Sequence, residues 1–273
     1  MSLAALRSGT NWDFESFDEY LTLLKRKGVT PNVAAFIGHS AVRTMVMGPE
    51  ASERAASEDE VTAMRNLVSD GMDAGAVGFS TSTSINHYGD GGVPMPSRLA
   101  EESELRSLVG VLGEKGRGVF QLTVGPNMTS KVMESLAKDN NCPVFQTAAL
   151  FNEAYPERAP RMVSDSAEAQ ARGNQLWAQV SCQSLSMDFA LTAAFPMQSL
   201  DAWRPLIDAD NESFERQIRD SEFRSRFRHD LEVPQKRKLF YGDWSKVEVA
   251  MAARPENREL EGLNINQLAA RQG

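Results

Sequence analysis

Apolar and polar positions alternate along this chain in whole segments rather than residue by residue. Five short apolar runs stand out: "VAAFIGHS" (33–40), "AGAVGFSTS" (74–82), "RGVFQLTVG" (117–125), "CPVFQTAAL" (142–150) and "LWAQVSCQS" (176–184). Each is bounded by Gly, Pro, Asn or Ser and reads as a strand. Their apolarity is continuous rather than of period two, which predicts strands covered on both faces, as in parallel sheets. Between them the period becomes helical. Ser57 and Glu60 form a capping box, after which Val61, Met64, Leu67, Val68 and Met72 recur on one stripe as far as Gly71 and Gly75. Residues 101–116 place Leu105, Leu108, Val109 and Leu112 together. Residues 13–28 do so with Phe14, Phe17, Leu21 and Leu24, and close on Lys25, Arg26, Lys27 and Gly28, which suits a helix C-terminus. Weaker helices are predicted at 129–141 and 164–174.

Helix and strand thus alternate, which implies a parallel sheet with crossover helices, either doubly wound or a barrel. No glycine-rich dinucleotide fingerprint follows any strand, so the barrel is favoured. The expected fold class is α/β, a (β/α) TIM-type barrel that is incomplete, with about five to six parallel strands where closure takes about eight. The pattern changes from Phe189 onward. A charged helix is predicted over 212–231, with Phe214, Ile218, Phe223 and Phe227 as its apolar side. A strand is predicted at Val247–Ala252 and a helix from near Asn264. The expected domains are a partial barrel over 1–188, then a helical extension with a further βα segment over 189–273.

The formal net charge is −8, which argues against a nucleic-acid partner held by a general basic field. Cys142 and Cys182 lack CxxC spacing and read as buried free thiols in a reducing compartment, so a cytoplasmic location is expected. No apolar window reaches membrane-spanning length and no signal-peptide core opens the chain, so no membrane partner is expected. The opening "MSL" reads as an added leader ahead of a natural segment starting near Ala4.

In a parallel α/β sheet the chemistry gathers where strand C-termini emerge. There the sequence places His39 and Ser40, then Ser80, Thr81 and Ser82 with the loop "INHYGDGG" (85–92). Thr123, then Gln146, Thr147 and Ala148, then Ser181, Cys182, Gln183 and Asp188 follow. His39 and His87 on neighbouring strands could share a metal or act as acid and base; a structural histidine bonded to its surroundings is the alternative for each. His229 reads as a surface residue. "GDGG" is not followed by a phosphate-binding helix start and reads as a plain loop. "GHSAVR" lacks the second glycine of a nucleophile elbow, which argues against a serine hydrolase.

"VAAFIGHSAVRTMVMG" followed by "ASEDEVTAMRNLVSDGMDAGAVGFST" resembles the N-acyl-D-amino-acid deacylases, the D-aminoacylase-like branch of the amidohydrolase superfamily. The GHxxxR element and the capped helix running into GAxGxST carry the likeness, most closely over residues 10–120. The resemblance implies a (β/α)8 barrel with a small β-sandwich, and zinc-dependent hydrolysis of an N-acyl-D-amino acid. A metal there lowers the pKa of bound water and polarises the carbonyl. It also implies ligands that this sequence does not offer: an HxH pair upstream of its first residue, an aspartate beyond its last, and single histidines at its third and fourth strand ends. Thr123 and Ala148 stand at those strand ends instead. The chain thus reads as an internal piece of such a protein, with no metal ligand of its own and no tightly bound zinc expected. What carries over is the substrate side. The candidate catalytic residues are His39, His87 and Tyr88. The candidate substrate-binding residues are Arg43, Ser80 and Thr81, with Arg43 meeting the substrate carboxylate or else closing a strand–helix corner. The expected partner is a small N-acyl amino acid, and the alternative is a catalytically silent binding module. Unpaired sheet edges further predict a homodimer, or covering by residues 189–203.

Overall fold

The computed structural model describes residues 7–89, 92–152, 155–182, 191–207, 209–233, 238, 240–252 and 254–272. These fall into two compact units, one holding the described residues up to 182 and the other those from 191 onward.

The first unit is a parallel sheet with crossover helices. Helix α1 (Phe17–Lys27) opens on a capping box between Ser16 and Glu19. Then come β1 (Phe36–Gly38), α2 (His39–Met47), α3 (Glu58–Ala74), β2 (Gly78–Ser82), α4 (Glu102–Lys115), β3 (Val119–Thr123), α5 (Ser130–Asn140), β4 (Val144–Thr147), α6 (Arg158–Ala171) and β5 (Leu176–Ala178). The strands lie side by side in chain order, all parallel. This is the arrangement of consecutive barrel strands, in a sheet that stays open. The Ser57–Glu60 capping box starts α3, and Gly75 ends it in the left-handed conformation.

Register sorts the strand residues onto two faces, since successive side chains alternate. Ile37, Phe79, Phe120, Val144 and Leu176 stand in one row, with Thr81, Leu122 and Gln146 in the next. This face is buried under the helices, against Met64, Val68 and Met72 of α3, Leu105, Leu108 and Leu112 of α4, and Met133 and Leu136 of α5. Each such side chain contributes roughly 1.5–3 kcal/mol by leaving water. The other face carries Ser80, Gln121, Phe145 and Trp177 in one row and Ser82, Thr123 and Thr147 in the next. It is more open: Trp177 is 43% exposed and stacks on Phe145 at 6.4 Å. Gly78 lets β2 approach β3, because a Cβ there would lie 1.9 Å from the Val119 carbonyl oxygen.

In the second unit Trp203 packs against Phe214, Phe223 and Phe227 at 5.4–6.1 Å. The helix expected over 212–231 is two helices, α7 (Asn211–Arg219) and α8 (Ser221–Glu232). They break at Asp220, whose carboxylate accepts from the Glu222 and Phe223 amides. The strand expected at Val247–Ala252 forms no ladder among the described residues: it makes an isolated antiparallel bridge, Glu248 to Asn264, and its Val249 carbonyl accepts from the Gly262 amide, before α9 (Ile265–Gln272). The expected domain boundary at 188/189 lies outside the described residues.

Candidate functional site at the strand ends

The GHxxxR element is a helix start. His39 and Ser40 do not end β1, as the sequence suggested; they open α2, with Gly38 as its N-cap. The spacing of four then sets His39 and Arg43 on one face of α2. Both turn inward, with His39 1% and Arg43 0% exposed. Between them, from α4, stands Glu104, 3% exposed. Its carboxylate accepts from His39 Nε2 at 2.7 Å and from Arg43 Nη1. The other ring nitrogen, His39 Nδ1, lies 2.8 Å from Thr81 Oγ1 on β2. Arg43 Nη2 donates to the Arg54 carbonyl at 2.8 Å and the Ala51 carbonyl at 3.4 Å, closing the turn after α2.

Burial, the larger influence, holds the His39 pKa below the ordinary value against the pull of Glu104. For Glu104, burial pushes upward, but the hydrogen bonds from His39 and Arg43 outweigh it and the net direction is down. An ionised Glu104 and a neutral His39 assign the tautomer: Nε2 carries the proton to Glu104, and Nδ1 accepts from the Thr81 hydroxyl. The trio is therefore one anion and one cation, both desolvated, linked to β2 through a neutral ring. Arg43 is engaged by Glu104 and two carbonyls, with its buried Nε unpaired among the described residues, and Thr81 faces the helices, not the open side.

A second cluster lies on the open side. The Ser40 hydroxyl donates to Ser97 Oγ at 3.0 Å, and Ser97 Oγ donates to the Ser82 carbonyl at 2.8 Å. Ser82 Oγ lies 2.7 Å from His87 Nδ1. Arg98 Nη1 donates to the His87 carbonyl at 3.0 Å, and its guanidinium sits 4.7 Å above the Tyr88 ring centroid. Burial first, and the Arg98 charge second, push the His87 pKa down. Ser80 stands on the same open face. The structure thus groups Ser80, His87 and Tyr88 on one side of the sheet, and His39, Arg43 and Thr81 on the other.

At the ends of β3 and β4, Gln121 Nε2 donates to Thr147 Oγ1 at 3.1 Å, and Thr147 Oγ1 donates to Gln179 Oε1 at 2.8 Å. Among the described residues no group of three or more His, Cys, Asp or Glu is gathered to hold a metal. Hydroxyl and amide donors at these strand ends do not fit zinc, which takes imidazole, thiolate or carboxylate. Gln146, expected on the rim, is buried under α6 and donates to Ser166. Of the two thiols only Cys142 is buried, its pKa pushed up to about 11 by burial; Cys182 is exposed. His229 is exposed on α8. Gln183 and Asp188 lie outside the described residues.

Glu104 and Arg98 escaped the sequence pattern. Glu104 did leave a trace, since it shares the stripe of Leu108 and Val111 at spacings of four and seven. An acid on an apolar stripe marks a buried partner. Arg98 left none.

No family model matches the chain. Over 79 residues it is 40% identical to a D-aminoacylase of Alcaligenes xylosoxydans xylosoxydans, covering 29% of this chain and 16% of that one. Over 103 residues it is 35% identical to an N-acyl-D-glutamate deacylase of the same organism, covering 38% and 19%. Over these stretches the chain is similar to D-aminoacylases and N-acyl-D-amino-acid deacylases. It is also 27% identical over 174 residues to an uncharacterized protein of Mycobacterium tuberculosis, covering 61% of this chain and 27% of that one. The alignments span between 16% and 27% of these curated relatives. The crystal structure of an N-acyl-D-glutamate deacylase from Bordetella bronchiseptica, solved with zinc and a phosphonate inhibitor, superposes with a TM-score of 0.50. It is 21% identical, with 60% of this chain and 33% of that one covered. That likeness is one of fold alone.

Proposed function

We propose that this chain forms the substrate-facing side of an N-acyl-D-amino-acid deacylase-type site. The observation that carries the reading is the Ser82–His87–Tyr88–Arg98 cluster at the C-terminal ends of the parallel strands. His87, held below its ordinary pKa, is a neutral imidazole near pH 7 and can take a proton. Ser80 offers a hydroxyl to an amide. The buried His39–Glu104–Arg43 trio positions β2, and with it both serines, from behind. The described residues offer no donor set for zinc, so their contribution is binding, orientation and proton handling. A silent binding module is the second reading, favoured by Thr123 and Ala148 standing where the resemblance implies imidazoles.

Binding and release are measured together: titration calorimetry with N-acetyl-D-leucine and its L enantiomer, and amino-acid release with and without added zinc. Preferred binding of the D form with zinc-dependent release supports the hydrolase. Preferred D binding without release supports the silent module. No enantiomer preference and no release overturns both.

A further inference from the structure

We infer that Arg98 is the residue that reads the carboxylate of the ligand, an assignment that rests on the deacylase-type site proposed above. An N-acyl amino acid carries a free carboxylate beside its amide, and a site that selects it needs a cation left unmatched by the protein. Arg43, the cation that the GHxxxR element suggested, does not meet that need. It is fully buried and donates to Glu104, Ala51 and Arg54. Four other arginines of this unit are neutralised by carboxylates: Arg54 by Glu50 and Glu60, Arg65 by Glu114, Arg106 by Glu102 and Arg172 by Glu134. Among the described residues the Arg158 guanidinium has a single long bond, 3.5 Å to the Val124 carbonyl, and no ring to fix it.

Arg98 is held differently. Its interactions among the described residues are with a carbonyl and an aromatic ring, both neutral. They fix where the guanidinium sits without cancelling its charge. The backbone beneath it is fixed as well. Ser97, 2% exposed, is tied to Ser40 and to the Ser82 carbonyl, and the Arg98 amide donates to the Met95 carbonyl. Nη1 is engaged by His87 and the flat face by Tyr88. The Nε–Nη2 edge has no partner among the described residues, and that edge is the fork that grips a carboxylate through two parallel hydrogen bonds. It lies in the same cluster as Ser82 and His87, so a ligand gripped there would place its amide among groups that can donate and accept protons. A pre-positioned, half-buried guanidinium also loses little side-chain freedom when an anion arrives.

The test compares N-acetyl-D-leucine with N-acetyl-D-leucinamide, which lacks the carboxylate, by titration calorimetry on the parent chain, R98Q and R98K. The parent is expected to bind the acid at least tenfold tighter than the amide. R98Q loses that preference while its amide affinity stays within twofold. R98K, which keeps the charge but not the fork, retains part of the preference, and it settles the assignment if R98Q melts below the assay temperature. Equal binding of acid and amide by the parent overturns the assignment and leaves the ligand site standing, as does an acid preference that survives undiminished in either variant. No saturable binding of either compound overturns the site proposal and this assignment with it.

Discussion

Replacing Glu104 with Gln removes one negative charge from a place where water cannot replace it. The carboxylate, 3% exposed, is the anionic partner of a fully buried guanidinium. The neighbouring ring can adapt. If His39 moves its proton to Nδ1, it can accept from the new amide and donate to Thr81, so the hydrogen bonds around it survive. Arg43 cannot adapt, because a guanidinium has no acceptor and does not deprotonate. Breaking a buried pair in this way costs about 3–5 kcal/mol. Replacing both partners leaves no stranded charge, so E104Q/R43Q is expected to be more stable than E104Q alone. Urea unfolding followed by far-ultraviolet circular dichroism, with the four proteins of the double-mutant cycle, measures the coupling. A loss below about 1 kcal/mol for E104Q would refute the reasoning. So would a double variant whose loss is the plain sum of the two singles.

Acid should weaken the fold from the neutral side. His39 is held below its ordinary 6.5 by burial, so below pH 6.5 the unfolded chain takes up a proton that the native chain refuses, and stability falls as pH falls. Glu104, also held low, adds a loss of the same sign that begins below its ordinary 4.5. His87 shares the direction of His39. The urea midpoint at pH 5.5 should therefore lie below that at pH 7.5, by less in H39Q and H87Q than in the parent; a parent midpoint equal at both values contradicts this. Gly78→Ala should lower the melting temperature by about 6–12 °C, since a Cβ 1.9 Å from the Val119 oxygen pushes on backbone and costs roughly 3 kcal/mol. Gly71→Ala meets side-chain rather than backbone atoms, Ile37 Cδ1 at 2.7 Å and Cγ1 at 2.8 Å, and serves as its milder control. A melt of G78A within 2 °C of the parent removes the argument.

The strands and most of their helices were legible because each carries its own signal; α2 (His39–Met47) was not expected, and α6 begins at Arg158 rather than near 164. Apolar runs, a capping box at Ser57 and closing glycines need no distant partner to be interpreted. The faces of the sheet were not. A continuously apolar run says that both sides of a strand are covered, but not which side looks toward a site. Thr81 and Ser80 are neighbours in sequence and stand on opposite faces of β2. His39 looked like a strand-end residue because the turn from β1 into α2 contains no loop at all: Gly38 ends one and caps the other. Arg98 acquires its meaning from a carbonyl eleven residues upstream and an aromatic ring ten upstream, a pairing that the polar loop pattern does not announce. Val247–Ala252 has the composition of a strand, but strand pairing depends on a partner, and here the pairing stops at the bridge to Asn264 and a turn back through Gly262.

The trio behind β2 also limits how the sequence can drift. A change at Glu104 strands Arg43; a change at Arg43 strands Glu104; a change at His39 leaves Glu104 short of a donor and unties Thr81. No single substitution leads smoothly from this arrangement to an apolar one, although the apolar end point is often no less stable. Positions 39, 43 and 104 are therefore bound to change together or not at all. The hydroxyls on the open face of the same strand bear on no buried charge, so the ligand proposed for them, rather than the core, is what limits their change.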